Sequence, residues 1–259
     1  MVFHSLTDIP RNLKEGIDWL MAIKGTDSID ALGAAVHKFL SGKSAGLTTV
    51  PTLENIKLIS MGFMWRKELR DLWPASHLLG KFIDTVENKS GNLAITMGSN
   101  PDAVAQKLGK VADGCAKFLG DIKHPEQYKS AYCSKSTWAK SCSKNPEDCA
   151  AIFVGIAPML FVGLESLRDA SKGESCLFGS DDVTKHRLRT VLKAMGYRKR
   201  RLRPNMGGYD VRKALSNVQK DVLSILDDIS GFDVSSESEL QGKLKGSSTT
   251  NNSPYWPIL

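Results

Sequence analysis

The stretch DCAAIFVGIAPMLFVGLE, residues 148–165, contains sixteen consecutive uncharged residues, from Cys149 to Leu164. A membrane-spanning helix needs about 20 apolar residues to cross roughly 30 Å of hydrocarbon, whereas sixteen helical residues extend only about 24 Å. Two glycines and a proline reduce the apolar character further, and acidic residues rather than basic anchors stand on both flanks. The stretch therefore predicts a helix in the core of the protein rather than a membrane span.

The residues around this stretch are typical of a central helix surrounded by others. Asn145 and Pro146 form a helix start signal, and two acids follow in the first turn, where the helix dipole favours negative charge. Pro158 removes one backbone hydrogen bond and predicts a bend at the midpoint. After Leu164 the pattern becomes amphipathic. A helix that is apolar all round and then amphipathic is typical of a buried core helix.

Helical periodicity extends over most of the chain, and no strand-like alternation persists. The sequence therefore predicts an all-α multi-helix bundle around the central apolar, Pro-bent helix. We expect the third helix to start at Thr52 and to extend as far as Leu69 or Leu72, and another to cover Leu78 to Val86. Further helix starts are predicted at Asp8–Pro10, Ser28, Asn100–Pro101 and Asp181.

The last predicted helix, from about Tyr209 to Ile229, carries an apolar seam with steps of four and three residues. Such a seam packs either against the chain's own helices or against a partner helix, and fewer than three full heptads favour the chain's own helices. The seam consists of Val211, Leu215, Val218, Val222, Ile225 and Ile229.

The composition divides the chain into a helical domain over residues 1–232 and a polar, Ser-rich tail over residues 233–259. The tail is predicted to be disordered because it has too little apolar area to offset the entropy of ordering. A turn-rich stretch near residues 88–100 marks a sub-boundary within the helical domain.

Positive charge is concentrated in one region of the chain. The formal net charge is +7, yet residues 185–213 hold eleven Lys/Arg against one acid. The run YRKRRLRP, residues 197–204, is either a solvated loop or a contact site for anionic lipid, glycan or another polyanion. A nucleic acid is disfavoured because Tyr197 is the only ring beside the run. The candidate polyanion contacts are Arg198, Lys199, Arg200, Arg201 and Arg203.

The five cysteines show no C-x-x-C spacing, and no metal, cofactor or catalytic motif is present in the sequence, so we expect no enzyme activity, cofactor or metal. In an oxidising location Cys133 would pair with Cys142 or Cys149; reduced, buried thiols are the alternative. The first twenty residues lack the pattern of a cleavable secretory signal.

Three long blocks carry a resemblance to a known family. They are NLKEGIDWLMAIKGTDSIDALGAAVHKFL at residues 12–40, YKSAYCSKSTWAKSCSKNPEDCAAIFVGIAPMLFVGLESLRDAS at 128–171, and SDDVTKHRLRTVLKAMGY with VRKALSNVQKDVLSILDDISGF within 180–232. In this order they resemble the N-terminal region of the variant erythrocyte surface antigens of babesial parasites. The resemblance covers about residues 5–232.

The resemblance implies a non-catalytic protein of an intraerythrocytic parasite that is exported to the infected red-cell surface and takes part in antigenic variation, immune evasion and cytoadhesion. It implies a host-cell protein or a partner subunit as the binding partner. It also makes Cys133, Cys142 and Cys149 disulfide candidates outside the cytosol. Family members are longer and carry a C-terminal anchor. Because this chain has a polar tail after Phe232, we expect a truncated or alternatively ended member that is secreted, bound to a partner subunit, or not displayed.

Overall fold

The computed structural model describes residues 2–41, 51–76, 78–79, 100–172, 182–218 and 220–230. Over these ranges the chain forms helices joined by turns, with two isolated bridges and no β-strand, which confirms the all-α prediction. A 3₁₀ turn covers Lys199–Arg201. The helices are α1 (Leu13–Lys24), α2 (Ile29–Ser41), α3 (Pro51–Met64), α4 (Pro101–Ile122), α5 (Trp138–Ser141), α6 (Pro146–Ser171), α7 (Asp182–Ala194), α8 (Gly208–Leu215) and α9 (Lys220–Ile229).

Helix α6 contains the apolar stretch and lies at the centre of the fold. It is long and apolar enough to cross a membrane, but 83% of its most apolar window is buried inside the protein. It contacts α1, α2, α3, α7, α8 and α9. This burial favours the interpretation of α6 as a core helix, because a chain that surrounds an apolar helix on all sides already removes it from water. The helix is continuous through Pro158, and the bend expected there stays a prediction.

Small residues allow the surrounding helices to approach α6 closely. A Cβ atom at Gly155 would overlap the side chain of Ile56 on α3, and one at Gly163 would lie 2.9 Å from the Cβ of Leu13 on α1. Ser60 on α3 also donates to the carbonyl oxygen of Gly155 at 2.7 Å. The glycines that lowered the hydropathy of the stretch are therefore the points at which α1 and α3 pack against α6.

Helices α2 and α4 form the most extensive helix pair. They cross where Gly33 faces Ala105, and a Cβ built on Gly33 would stand 2.5 Å from the Cα atom of Ala105. The buried side chains on both sides of the crossing belong to one hydrophobic core cluster that extends from Phe3 to Ile229.

Asparagine occupies the N-cap position of three helices. The side chain of Asn100 accepts a hydrogen bond from the Ala103 amide at 2.8 Å, which confirms the predicted start of α4. Asn12 caps α1 in the same way through Glu15. The predicted start at Asp8–Pro10 is wrong, because the Asp8 carboxylate instead accepts the amides of His4 and Ser5 in a preceding turn.

Asn145 precedes α6 as expected, and Pro146 is its first residue, but the Asn145 side chain makes no capping hydrogen bond. Helix α3 ends at Met64 rather than at Leu69 or Leu72. After Met64 several backbone amides bond to the third preceding carbonyl, as Leu69 does to Arg66 at 2.8 Å. This tighter winding replaces the α-helix.

The predicted last helix is two helices, α8 and α9, with a break that includes residues 216–218. The backbone amides of Asn217 and Val218 donate to the third preceding carbonyl oxygens, those of Ala214 and Leu215 respectively. The Asn217 side chain donates to the Asp121 carboxylate on α4 at 2.6 Å. This long-range hydrogen bond fixes the turn and is not visible in the heptad pattern. The tail predicted to be disordered, residues 233–259, lies outside the described residues. Most of the predicted sub-boundary at 88–100 and most of the helix expected over 78–86 also lie outside them.

Candidate functional site

The cysteine region links α5 to the first turn of α6. Cys142 follows α5, Cys149 lies in α6, and the two form a disulfide with a Cα–Cα distance of 6.0 Å. Both residues are fully buried. This disulfide lies among the three candidate cysteines, but the expected pairing of Cys133 with Cys142 or Cys149 is wrong. Cys133 is held on another segment by its amide, which donates to the Phe3 carbonyl oxygen at 3.0 Å, and its thiol is free.

Cys133 instead belongs to a cluster with His4 and Ser136, which we call the Cys133 cluster. Its sulfur lies 3.6 Å from His4 Nδ1 and 3.5 Å from Ser136 Oγ. The hydrogen bond between Ser136 and the sulfur is the leading cause that lowers the pKa of the Cys133 thiol to about 7, with further contributions from the Lys135 backbone and His4. His4 is 129 residues away in sequence, so the pattern of cysteine spacings gave no indication of this cluster.

Cys115 in α4 has the opposite environment. It is fully buried, and this burial raises the pKa of its thiol to about 12. A thiol of this kind stays protonated and acts as a small apolar side chain in the core. The free cysteines of the described residues therefore divide into one accessible, acidic thiol and one inert thiol.

The basic cluster lies on the 3₁₀ turn at the C-terminal end of α4. The backbone of this turn is tied to α4 by hydrogen bonds from the Arg203 amide to Ile122 at 3.0 Å and from the His124 amide to Arg201 at 2.9 Å. The Arg203 guanidinium also donates to the Gly120 carbonyl oxygen at 3.0 Å. Cations beside a helix C-terminus interact favourably with its dipole. Arg203 is therefore part of the cap of α4 as well as of the basic run.

The other members of the run are arranged differently. Arg198, Lys199 and Arg200 are exposed side by side, whereas Arg201 is half-buried. The structure thus brings together three neighbouring cations on an anchored turn, with Arg203 beside them. This arrangement presents positive charge to solvent without a loop that must be ordered on binding.

The apolar seam is buried within the chain. All six seam side chains are fully or almost fully buried, and α8 and α9, which carry five of them, contact α4 and α6. The seam therefore packs against the chain's own helices, as favoured from the sequence, and the alternative of a surface for a partner helix is wrong. The four-and-three spacing fits the groove between α4 and α6, and continues across the break between α8 and α9. The seam residues are Val211, Leu215, Val218, Val222, Ile225 and Ile229.

A buried ion pair ties α1 to the segment before α5. Lys14 Nζ lies 2.6 Å from Asp18 Oδ2, and the two residues are only 3% and 1% exposed. Asp18 also accepts from the Ala131 amide at 2.8 Å and from the Tyr128 hydroxyl, while Lys14 donates to the Lys129 carbonyl oxygen at 3.0 Å. The sequence reasoning missed this pair. A lysine and an aspartate four residues apart on the inward face of α1 were the available signal.

The phenols around this pair are shielded from water. Burial, followed by the nearby charge of Asp18, raises the pKa of Tyr128, and burial is also the leading cause that raises the pKa of Tyr197. Both rings therefore remain neutral. Because the ion pair has hydrogen-bond partners within the chain, we interpret it as a device that fixes the position of the 128–131 segment.

Large apolar side chains are exposed on α3 and in the turns after it, as well as at Val2 and Tyr209 elsewhere among the described residues. Trp65 is 54% exposed, Trp73 is 57% exposed, and Leu58 lies one heptad before Trp65. Tryptophan is enriched at the centres of protein interfaces because it supplies a large contact area at low entropic cost. We call Leu58, Trp65 and Trp73 the α3 aromatic surface.

No group of three or more His, Cys, Asp or Glu suited to a metal ion occurs among the described residues. The fold and these sites define the class of the protein: a compactly wound α-helical bundle with one internal disulfide, an anchored basic turn and an exposed aromatic surface. No family model, curated protein or solved structure matches the chain.

Proposed function

We propose that this chain is a non-catalytic recognition module that operates outside the reducing cytosol, as a variant surface antigen of an intraerythrocytic parasite. The observation that carries the proposal is the buried Cys142–Cys149 disulfide, which joins α5 to the central helix. Structural disulfides form and persist in exported proteins and are rare in the cytosol. The block resemblance to variant erythrocyte surface antigens supplies the biological setting.

The packing of the fold also supports a recognition role. The central helix is enclosed by six others, and its glycines hold α1 and α3 in close contact. A scaffold of this kind keeps exposed residues in place while those residues vary, because core packing and surface composition are largely independent. The α3 aromatic surface is the described region whose composition best fits contact with a host-cell protein.

Display on the infected cell is tested by flow cytometry with an antibody raised against the folded chain. Intact infected erythrocytes are expected to be labelled, and surface proteolysis before staining is expected to remove the label. An antibody to an internal parasite protein serves as the control for cell integrity. Label that appears only after permeabilisation would refute display. Peptide mapping of native material under non-reducing conditions tests the compartment independently and should recover Cys142 bonded to Cys149.

Recognition is tested with the recombinant chain on cultured endothelial cells. We expect the Trp65→Ala/Trp73→Ala variant to bind at least tenfold more weakly, because buried tryptophans at interfaces commonly contribute about 2 kcal/mol or more each. Tyr209→Ala is the matched control, since Tyr209 is equally exposed, at 55%, but lies on α8. Equal loss of binding in both variants, or in neither, contradicts recognition through the α3 aromatic surface.

Polyanion binding through the basic turn is the second candidate function. It is favoured by the exposure of Arg198, Lys199 and Arg200 on a turn that the backbone already anchors to α4. Neutralising these three residues should abolish most binding to heparin or to vesicles with anionic lipid and should flatten its salt dependence. Neutralising the exposed and dispersed Lys67, Lys117 and Lys144 removes the same charge. An equal effect of the two triple variants would show only a general charge effect.

A further inference from the structure

We infer that Cys133 is a thiol-exchange site at which the protein forms a mixed disulfide with a low-molecular-weight disulfide, and that His4 and Ser136 stabilise the attacking thiolate. This inference does not rest on the proposed recognition function. It concerns a cluster outside the disulfide, the basic turn and the α3 aromatic surface.

The cluster is assembled by the pairing of two distant segments. The Phe3 amide donates to Ala131 at 2.7 Å, and the Cys133 amide and the Ser136 hydroxyl both donate to the Phe3 carbonyl oxygen, at 3.0 and 3.2 Å. The Phe3 and Tyr132 rings pack with centroids 4.9 Å apart. These contacts hold the backbone of the segment that carries His4 beside the turn that starts at Cys133, so the fold brings the imidazole within reach of the thiol.

Two polar side-chain atoms contact the sulfur. Ser136 Oγ lies at 3.5 Å and His4 Nδ1 at 3.6 Å from it. His4 is the titratable group that faces the thiol. The nearby Asp8 carboxylate is occupied by the backbone amides of His4 and Ser5, at 3.0 Å each. Once the thiol has lost its proton, a protonated His4 imidazole and a Ser136 hydroxyl turned from Phe3 to the sulfur can both donate to it. Such donors favour the anionic sulfur, which is the nucleophile in disulfide exchange.

The exchange step conserves atoms and electrons. The Cys133 proton passes to His4 or to water, and the thiolate attacks one sulfur of a disulfide R–S–S–R. The new Cys133–S–S–R bond forms as the R–S–S–R bond breaks, and R–S⁻ leaves and takes up a proton according to its own pKa. One disulfide replaces another, so no further oxidant is required. Cys133 is half-exposed, which admits a small disulfide to its sulfur.

The rate of exchange has a distinctive dependence on pH. With its pKa at about 7, Cys133 is about half thiolate at pH 7, roughly 16 times the fraction of an ordinary thiol of pKa about 8.5. The lower pKa also reduces intrinsic nucleophilicity about fivefold. Cys133 should therefore react about threefold faster than an ordinary thiol at pH 7 and about fourfold more slowly at pH 9, where both thiols are mostly ionised.

The test uses the full chain with glutathione disulfide as the probe. Peptide mapping locates the adduct, and the mass of the intact protein, followed over time, gives its rate of formation. We expect one glutathionyl group on Cys133 and none on Cys115, the buried internal control. His4→Ala and Ser136→Ala should each slow the reaction at pH 7 by up to about threefold and accelerate it at pH 9 by up to about fourfold. His186→Asn, an exposed histidine on α7, should change neither rate.

Far-UV circular dichroism confirms that each variant is folded, and iodoacetamide alkylation measures the same pH profile if an adduct is unstable. The inference is overturned if no adduct forms on Cys133, or if mapping finds Cys133 bonded to Cys176 or to a second copy of the chain in place of glutathione. It is also overturned if the pH profile is the same in wild type, His4→Ala and Ser136→Ala, since a thiol without stabilising neighbours would behave in that way.

Discussion

Replacement of Gly33 by alanine tests the crossing of α2 and α4 most directly. A Cβ atom at this position would stand 2.5 Å from both the Cα and the Cβ of Ala105 and 2.7 Å from its backbone nitrogen. Ordinary van der Waals contact begins at 3.4 Å, so the helices must separate locally by about 0.9 Å. The obstacle is backbone, which cannot rotate away as a long side chain does.

The free-energy change has two opposing parts. Overpacking of a core costs about 1–3 kcal/mol, and a rigid backbone obstacle places Gly33→Ala near the upper end. The separation also weakens dispersion contacts of the neighbouring core side chains, because a gap of 0.5–1 Å removes roughly a quarter to a half of the dispersion energy of each atom pair. Alanine gains up to about 1 kcal/mol over glycine in a helix interior. We therefore expect a net destabilisation of about 2 kcal/mol.

Urea unfolding followed by far-UV circular dichroism measures this change, with Gly109→Ala as the matched control. Gly109 lies in the interior of α4, where an added Cβ would meet Ile29 at an ordinary 4.0 Å, so this variant should gain up to about 1 kcal/mol. Ala105→Gly in the Gly33→Ala background should restore little stability, because the Cα and nitrogen of residue 105 remain in place. The reasoning is refuted if Gly33→Ala is as stable as the parent chain while Gly109→Ala gains as expected.

Three further predictions concern stability, each measured by urea unfolding. Asp18→Asn should lower the free energy of unfolding by about 3 kcal/mol or more, because it leaves the Lys14 charge buried without its counterion. The double variant with Lys14→Met should recover part of this loss. Losses that simply add would contradict an energetic coupling between the two side chains. Cys149→Ser should lower the free energy of unfolding by about 2–3 kcal/mol, because it opens the short loop to Cys142. Reduction of the wild-type disulfide should reproduce this loss. No loss in either experiment would exclude a stabilising disulfide. Asn100→Ala should lower the free energy of unfolding by about 1 kcal/mol and Asn145→Ala by clearly less, since of these two residues only Asn100 makes a side-chain capping bond. Equal losses would show that the two caps do not differ in energy.

The order and type of the helices were largely predictable from local patterns. The central helix followed from its uncharged run between an Asn-Pro start and an amphipathic exit, and α4 followed from Asn100, Pro101 and its apolar spacing. These signals act within a few residues along the chain, so one sequence displays them completely. The six seam positions were likewise correct as inward positions, because a period of 3.5 residues identifies a face whatever covers it.

The errors in helix ends arise where polar groups form hydrogen bonds other than those of the predicted helix. The partner is either distant in sequence or part of a local turn. The seam pattern predicted one last helix, but the hydrogen bond from Asn217 to Asp121 accompanies a break within it. Asp8 has the composition of a helix cap, but its carboxylate binds the two amides of a preceding turn. Periodicity states which face is apolar and carries no information on such contacts.

The candidate sites show the same difference between local patterns and long-range contacts. The sequence by itself determined the all-α class, the central buried helix and the presence of a basic run, because composition and spacing are local properties of the chain. Only the tertiary structure decided which cysteines pair, that Arg203 caps α4, that Lys14 and Asp18 form a buried ion pair, and that His4 meets Cys133. These features depend on how distant segments pack, up to 129 residues apart for His4 and Cys133, and even the i,i+4 spacing of Lys14 and Asp18 does not show that the segment at 128–131 buries them.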